Sequence, residues 1–353
     1  MKVPPAIRDI VMRTAAQRGH NLAWPCDGRA VIQAEPVPFR GDVPSGAGVD
    51  HHQRRLRFDP PPEARVELGE VTYTALGMAW VEGRLDRRAC FEDIGPRHLW
   101  LRPGAPSDRL DRATLLQSQT PRTYGDWVSE HVPQLARALE GKTQTSPLLL
   151  PAWWHAKPYV QRDLKAMGIV ALPVNAPVKI ARADVLQKTR PGHYWTSPEA
   201  MIVRRTLWNE PSPCDSGTAI YLSRRGERGE GPQRSIDNEL TEAAMAQAGV
   251  TVVRTAGRTS EDWQRLAPQA ETVFADHGSA LYNVLGWRSR RIVELFSPNY
   301  WDSAFLFLAD GIGLCDYHLW RIDTATSVAS LASRITSLRN EAIRHPRSEA
   351  NWQ

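Results

Sequence analysis

Cysteine is scarce in this chain. Four residues, Cys26, Cys90, Cys214 and Cys315, stand far apart among 353 with no C-x-x-C pair. That spacing excludes a zinc cluster and a disulfide framework, and reduced thiols suit a cytosolic protein. Long apolar runs are also missing. The opening MKVPPAIRDIVMRTAAQRGH lacks the apolar core of a signal peptide, and no window reaches the ~20 apolar residues of a membrane span. The expectation is a cytoplasmic protein with at most peripheral contact at the inner face of the membrane. No zinc finger, RNP-type aromatic motif or basic-leucine pattern is present, which argues against a nucleic-acid partner. G-x-S-x-G is absent, so Asp276-His277-Gly278-Ser279 does not make a hydrolase.

What is present is a globular composition, 42% hydrophobic and 24% charged, at a length that favours two domains. The net charge of +5 is concentrated in arginine clusters rather than a lysine tail, so phosphate-bearing partners fit it. Thirteen tryptophans suit core packing or sugar stacking. Residues 1–65 are rich in proline and glycine and read as irregular; His51 and His52 lack a further ligand at metal spacing and read as exposed loop. The segment 66–95 reads as two or three short antiparallel strands.

After Thr123 helices and strands alternate. In YGDWVSEHVPQLARALEG the residues Val128, Val132, Leu135 and Leu139 fall on one helical face, Glu130 on the opposite one, and Pro133 kinks or delays the helix. SPLLLP, IVALPV and VKIARADVL read as strands and KPYVQRDLKAMG as a helix. SPEAMIVRRTLW reads as a helix bridging two domains, with Ser197 as N-cap, Pro198 at its first position and Glu199 in its first turn. From AIYLS to LCDYHLW the alternation is cleaner and predicts a doubly wound sheet. A final helix carries Val328, Leu331, Ile335 and Leu338 on one stripe that must be buried, on this protein or on a partner or membrane surface. The resulting division is an N-terminal domain over 1–195, a C-terminal domain over 196–322, and a helix and tail over 323–353.

In open α/β sheets ligands sit beyond the carboxyl ends of the strands. After AIYLS comes a glycine-bearing loop with Arg224, Arg225, Arg228 and Arg234, which reads as a diphosphate grip or as a solvated loop. After TVFAD comes His277-Gly278-Ser279 and a helix whose first N–H groups favour an anion, with Asn283 steadying the turn; a lone histidine also fits a structural role. Glu294 inside RIVELF needs a partner, either a ribose diol or Arg290 or Arg291. Asn238-Glu239 reads as capping and first-turn charge, and Thr259 with Asp262 as a capping box.

The joint order of IYLSRR, Arg234, Asn238-Glu239, AGVTVV, DHGSALYN and RIVELF resembles family 61 glycosyltransferases, in the manner of bacterial capsule and exopolysaccharide members. TYGDWVSEHVPQL is similar to that family's Gly-His-Trp helix followed by an acidic residue and Leu-Pro, so the resemblance runs from about Val66 to Trp320. It implies a GT-B fold, two Rossmann-like domains facing a cleft, and inverting transfer from a nucleotide-sugar donor to a glycan or lipid-linked glycan. Arg224, His277 and Glu294 would contact the donor, with Arg225, Arg234, Gly278, Ser279 and Asn283 in support, and Glu130 would be the base. No Asp-x-Asp occurs, in keeping with a reaction that needs no metal or other cofactor. Asp126 stands where the family has histidine and offers a second candidate carboxylate. Ser279-Ala280 and Tyr282 also depart from the family pattern, which leaves a non-catalytic glycan- or nucleotide-sugar-binding module as the alternative.

Overall fold

A computed structural model describes residues 30–44, 54–58, 65–91, 102–118, 123–139, 144–188, 195–208, 215–227, 236–256, 270–314 and 316–343. The expectations for His51, His52, Cys26, Cys214, Cys315, Arg228, Arg234 and the Thr259–Asp262 pair lie outside these residues. The chain divides into two compact units, one of residues 1–31 and 57–192, the other of 32–56 and 193–353. The segment expected to be irregular contains β1 (Ala30–Pro36), β2 (Arg40–Gly41) and β3 (Arg54–Phe58), with β1 paired to β3.

The first unit holds a mixed sheet rather than an all-parallel one. Its strands are β4 (Arg65–Leu68), β5 (Val71–Tyr73), β6 (Ala79–Val81), β7 (Arg84–Leu85), β8 (Asp108–Leu116), β9 (Leu148–Pro151), β10 (Ala171–Val174) and β11 (Val178–Leu186). The order is β10-β9-β8-β11-β5-β6-β7, with β4 also on β11. β8 to β11 run parallel, whereas β4 and β5 pair antiparallel to β11. The short antiparallel strands thus extend the same sheet. Glu82 and Gly83, both with positive φ, form the two-residue turn between β6 and β7. Two tryptophans of this unit serve packing: Trp127 and Trp154 are fully buried beside Phe91 and His131, and Trp127 Nε1 donates to Asp163 Oδ2 at 2.9 Å, whereas Trp153 is exposed.

The second unit is a parallel sheet of β12 (Asp215–Ser223), β13 (Thr251–Arg254), β14 (Ala270–Asp276), β15 (Arg291–Phe296) and β16 (Asp316–Arg321), with β2 added at one edge. The spatial order β13-β12-β14-β15-β16 is one of the two common doubly wound orders. Strand alternation sends Phe274, Val293 and Leu295 into one core with Met245 of helix Asn238–Gln247 and with Leu331, Ile335 and Leu338 of helix Val328–Asn340. The intervening Val273, Ala275, Ile292 and Glu294 are equally buried, so both faces are covered. Arg291 fastens the last helix: it pairs with Asp316 at 2.7 Å and donates to Leu338 O at 2.7 Å, a cation at a helix C-terminus.

Two capping expectations shift by one residue. Thr196, not Ser197, caps helix Ser197–Leu207, and Asp237, not Asn238, caps helix Asn238–Gln247. The extended backbone that a cap requires begins one residue earlier in each case.

Candidate active site

In the second unit β12 lies between β13 and β14, so the strand order reverses at the carboxyl ends of β12 and β14. A doubly wound sheet opens a crevice there. The residues on either side are Arg224, one past β12, and His277-Gly278, just past β14. Arg224 N donates to Asp276 Oδ2 at 2.8 Å, its Nη1 to His277 O at 2.8 Å and its Nε to Glu227 Oε2 at 2.7 Å. A Cβ on Gly278 would stand 2.3 Å from Arg224 Nη1, so only glycine lets the guanidinium lie against this turn. Asp276 also accepts from Tyr221 Oη at 2.6 Å and from Asn238 Nδ2 at 2.8 Å. Burial pushes its carboxyl up to about 6, against the opposing pull of these donors.

Arg225 is paired with Glu239 and, at 3.1 Å, with Glu242. Hydrogen bonds from Arg254, then from Ser223 and Arg225, hold the Glu242 carboxyl down at about 2. Arg224 and Arg225 are therefore fixed in direction before any ligand arrives.

His277 is buried with carboxylates on both ring nitrogens. Nδ1 bonds Glu294 Oε1, and Nε2 stands 3.3 Å from Asp302 Oδ2. Burial alone would lower this imidazolium, but Asp302 and Glu294 outweigh it and push it up to about 10. Glu294 is fully buried, and its other oxygen accepts from Tyr317 Oη at 2.5 Å. Neither arginine weighed as a partner for Glu294 from the sequence is bonded to it. Arg290 pairs with Glu271 and Arg291 with Asp316, and both Glu294 oxygens are already bonded within the protein. After Gly278 the chain forms a 3-10 helix, Ser279–Gly286, tighter than the α-helix expected. Asn283 Nδ2 donates to Ala280 O at 2.9 Å and steadies its first turn, while Ser279 is half-buried.

The other two candidates belong to the first unit. Glu130 was expected on the face opposite the apolar stripe; it lies on a single π-helical turn, Trp127–His131, every residue of which is buried. Pro133 has no N–H for the α-helical bond and its ring clashes with the carbonyl four residues back; one wider turn just before it relieves both. Lys188 Nζ donates to Glu130 Oε1 at 2.8 Å, and Oε2 has no hydrogen-bond partner among the described residues. Asp126 closes a capping box with Thr123: Thr123 N donates to Asp126 Oδ2 at 2.7 Å and Asp126 N to Thr123 Oγ1 at 3.3 Å. His131 is stacked on Phe91 and Trp127, and burial pushes it down to about 3.

Sequence reasoning missed Lys188, Tyr221, Asp302 and Tyr317 as partners. Asp276 carried a usable signal, being an acidic residue ending an apolar strand, as Glu294 did. Among the described residues no group of three His, Cys, Asp or Glu side chains is arranged to hold a metal ion.

The second unit is a doubly wound parallel sheet with arginines fixed at its strand-order reversal, the place where open sheets of this class take their ligands. Residues 124–292 match the family model described as Glycosyltransferase 61, and the chain carries a glycosyltransferase domain of that family. No curated protein matches the chain. The matched segment includes Glu130, Arg224 and His277; Glu294, Asp302 and Tyr317 lie beyond it. No helix among the described residues is long and apolar enough to cross a membrane.

Proposed function

We propose that the chain moves a sugar from a nucleotide-sugar donor to a glycan or lipid-linked glycan, with inversion and without a metal, in cell-surface polysaccharide synthesis. The observation that carries the donor half is Arg224, held through its backbone N, Nη1 and Nε beside Gly278 at the strand-order reversal, inside the family-matched segment. A planar guanidinium suits diphosphate oxygens. As the bond from the anomeric carbon to the leaving oxygen breaks, the nucleotide gains negative charge, which Arg224 and Arg225 oppose. His277 and Glu294 act in this reading from beneath, by holding the turn whose carbonyl orients Arg224.

Glu130 is the base of this reading. Lys188 occupies Oε1, while Oε2 is left to take the acceptor proton as the acceptor oxygen attacks the anomeric carbon. The GT-B plan and a cytoplasmic site of action belong to the same proposal. Calorimetry with a panel of nucleoside diphosphates tests it: Arg224→Ala is expected to weaken binding at least tenfold, and equal affinity in variant and wild type would show that the donor site lies elsewhere.

A further inference from the structure

Helix Val132–Leu139 packs on one face of the first unit's sheet without filling the space beneath it. Leu135, Ala138 and Leu139, at i, i+3 and i+4, share one face of that helix. On the sheet, Thr114 is the register partner of both Leu148 and Asp184, and Leu186, two residues beyond Asp184, is the partner of Arg65. Residues two apart in a strand point the same way, so Thr114, Leu148, Leu186 and Arg65 share one face of the sheet. Together with Ile169 these residues line a cavity of about 210 Å³. Arg65 and Thr145 are exposed and Gln144 is half-buried, and these three lining residues form its mouth.

The polar side chains around the cavity have partners within the protein. Thr114 Oγ1 and Ser146 Oγ are 2.8 Å apart, and Gln144 accepts from Val170 N at 2.7 Å and donates to Ser146 O and Val170 O, each at 2.8 Å. Arg65 pairs with Asp184 at 2.8 Å, Arg112 pairs with Asp184 at 2.8 Å and with Glu67 at 3.0 Å, and so two cations meet two anions. Aliphatic walls offer a water too few polar partners to hold it; an apolar cavity of about 150 Å³ stays dry and takes a benzene-sized guest. A wall that faces no atoms forfeits its dispersion contacts, which an apolar guest restores. None of the lining residues is aromatic, so a flat ring finds no face to stack on, while a flexible aliphatic chain can follow leucine and isoleucine side chains. With polar groups gathered at the mouth, such a chain can carry a polar head there.

We propose that the cavity beneath helix Val132–Leu139 is a binding site for a single aliphatic chain with an uncharged polar head, the chain between Leu135, Leu139, Leu148 and Leu186 and the head at Gln144 and Thr145. The charges at the mouth balance one another, so the head needs none of its own. Ala138 sets the room for the chain, since a longer side chain there would occupy it. This site stands apart from the sugar-transfer reading, because its lining residues belong neither to the donor crevice nor to the pair of Glu130 and Lys188.

Calorimetry of the full-length protein with 1-butanol, 1-hexanol and 1-octanol tests the site. Affinity is expected to rise about fourfold for each methylene that enters the cavity. Octanoate is expected to bind about tenfold or more weakly than octanol, since a carboxylate would lose hydration beside arginines that are already paired. Ala138→Leu should cut octanol affinity about tenfold or more with the melting temperature unchanged or raised, because the added atoms take the guest's place. Nuclear Overhauser contacts from octanol to the methyl groups of Leu135, Leu139 and Ile169 locate the guest without any variant. Absence of octanol binding, affinity that does not grow with chain length, contacts to other methyl groups alone, or equal octanol binding by folded Ala138→Leu would overturn the proposal. Octanoate binding as tight as octanol would overturn the uncharged head. Nucleoside diphosphate affinity, measured on the same samples, should be equal in wild type and Ala138→Leu, so failure of the donor reading and failure of this site are read separately.

Discussion

The buried His277 offers a quantitative test of the second unit. Its two carboxylate neighbours, outweighing burial, hold the imidazolium up at about 10 against an ordinary value near 6.5. The folded state therefore keeps a proton that the unfolded chain releases above about pH 6.5. Stability from this group is fully present below the unfolded value and is lost as pH rises toward the folded one, by about 1.4 kcal/mol per pH unit at most. From about pH 7.5 to about pH 9, a window below the ordinary values of tyrosine and largely clear of the carboxylates, the loss should be roughly 2 kcal/mol. Glu294→Gln removes the fully buried carboxylate while keeping the side chain's shape. Breaking a buried pair costs about 3–5 kcal/mol, so the variant should be destabilised by that order at neutral pH. With less holding the proton, its stability should also fall less steeply toward alkaline pH. Urea unfolding followed by circular dichroism at several pH values reads both quantities. Parallel pH slopes for the two proteins would refute the argument, since the proton would then not be held by Glu294.

Three further outcomes follow from particular contacts. Gly278→Ala places a Cβ 2.3 Å from Arg224 Nη1, the far end of a flexible side chain; the guanidinium should swing away, weakening nucleoside diphosphate binding about tenfold with little change in melting temperature. Glu130→Gln should abolish donor hydrolysis to water, whereas Asp126→Asn, altering a capping box, should cost about 0.5–2 kcal/mol of stability and spare the reaction; the reverse pattern in a hydrolysis assay would move the base to Asp126. His131 is pushed down to about 3, so below about pH 6.5 the unfolded chain binds a proton that the folded state refuses. Stability from His131 is lost as pH falls, and His131→Phe should lower the midpoint of acid unfolding monitored by circular dichroism.

Much of the second unit was legible because its signals are local. The apolar runs of β14 and β15 are buried at nearly every position, as strands covered on both faces require. Asn283 could be placed as the steadying residue of its turn because its partner lies three residues away. Partners across the sheet were not legible. Alternation alone would have excluded Arg291, which the sequence reading kept as a partner of Glu294, since residues three apart in a strand point to opposite faces. It could not single out His277 and Tyr317, which come from neighbouring strands. The π-turn that carries Glu130 before Pro133 was not legible, because helical periodicity assumes an unbroken α-register.

The sequence by itself determined the alternation of elements in the second unit, the arginine loop and the His-Gly turn that border one crevice, and the family that the ordered motifs resemble. These depend on periodicity and on neighbours a few residues apart. Only the tertiary structure decided the strand order that sets Arg224 against Gly278, the two carboxylates on His277, and the meeting of Glu130 with Lys188, 58 residues away in the chain. The reason is physical: a buried charge is tolerated only where several elements bring it a partner, and those partners are fixed by sheet order and register rather than by spacing along the chain.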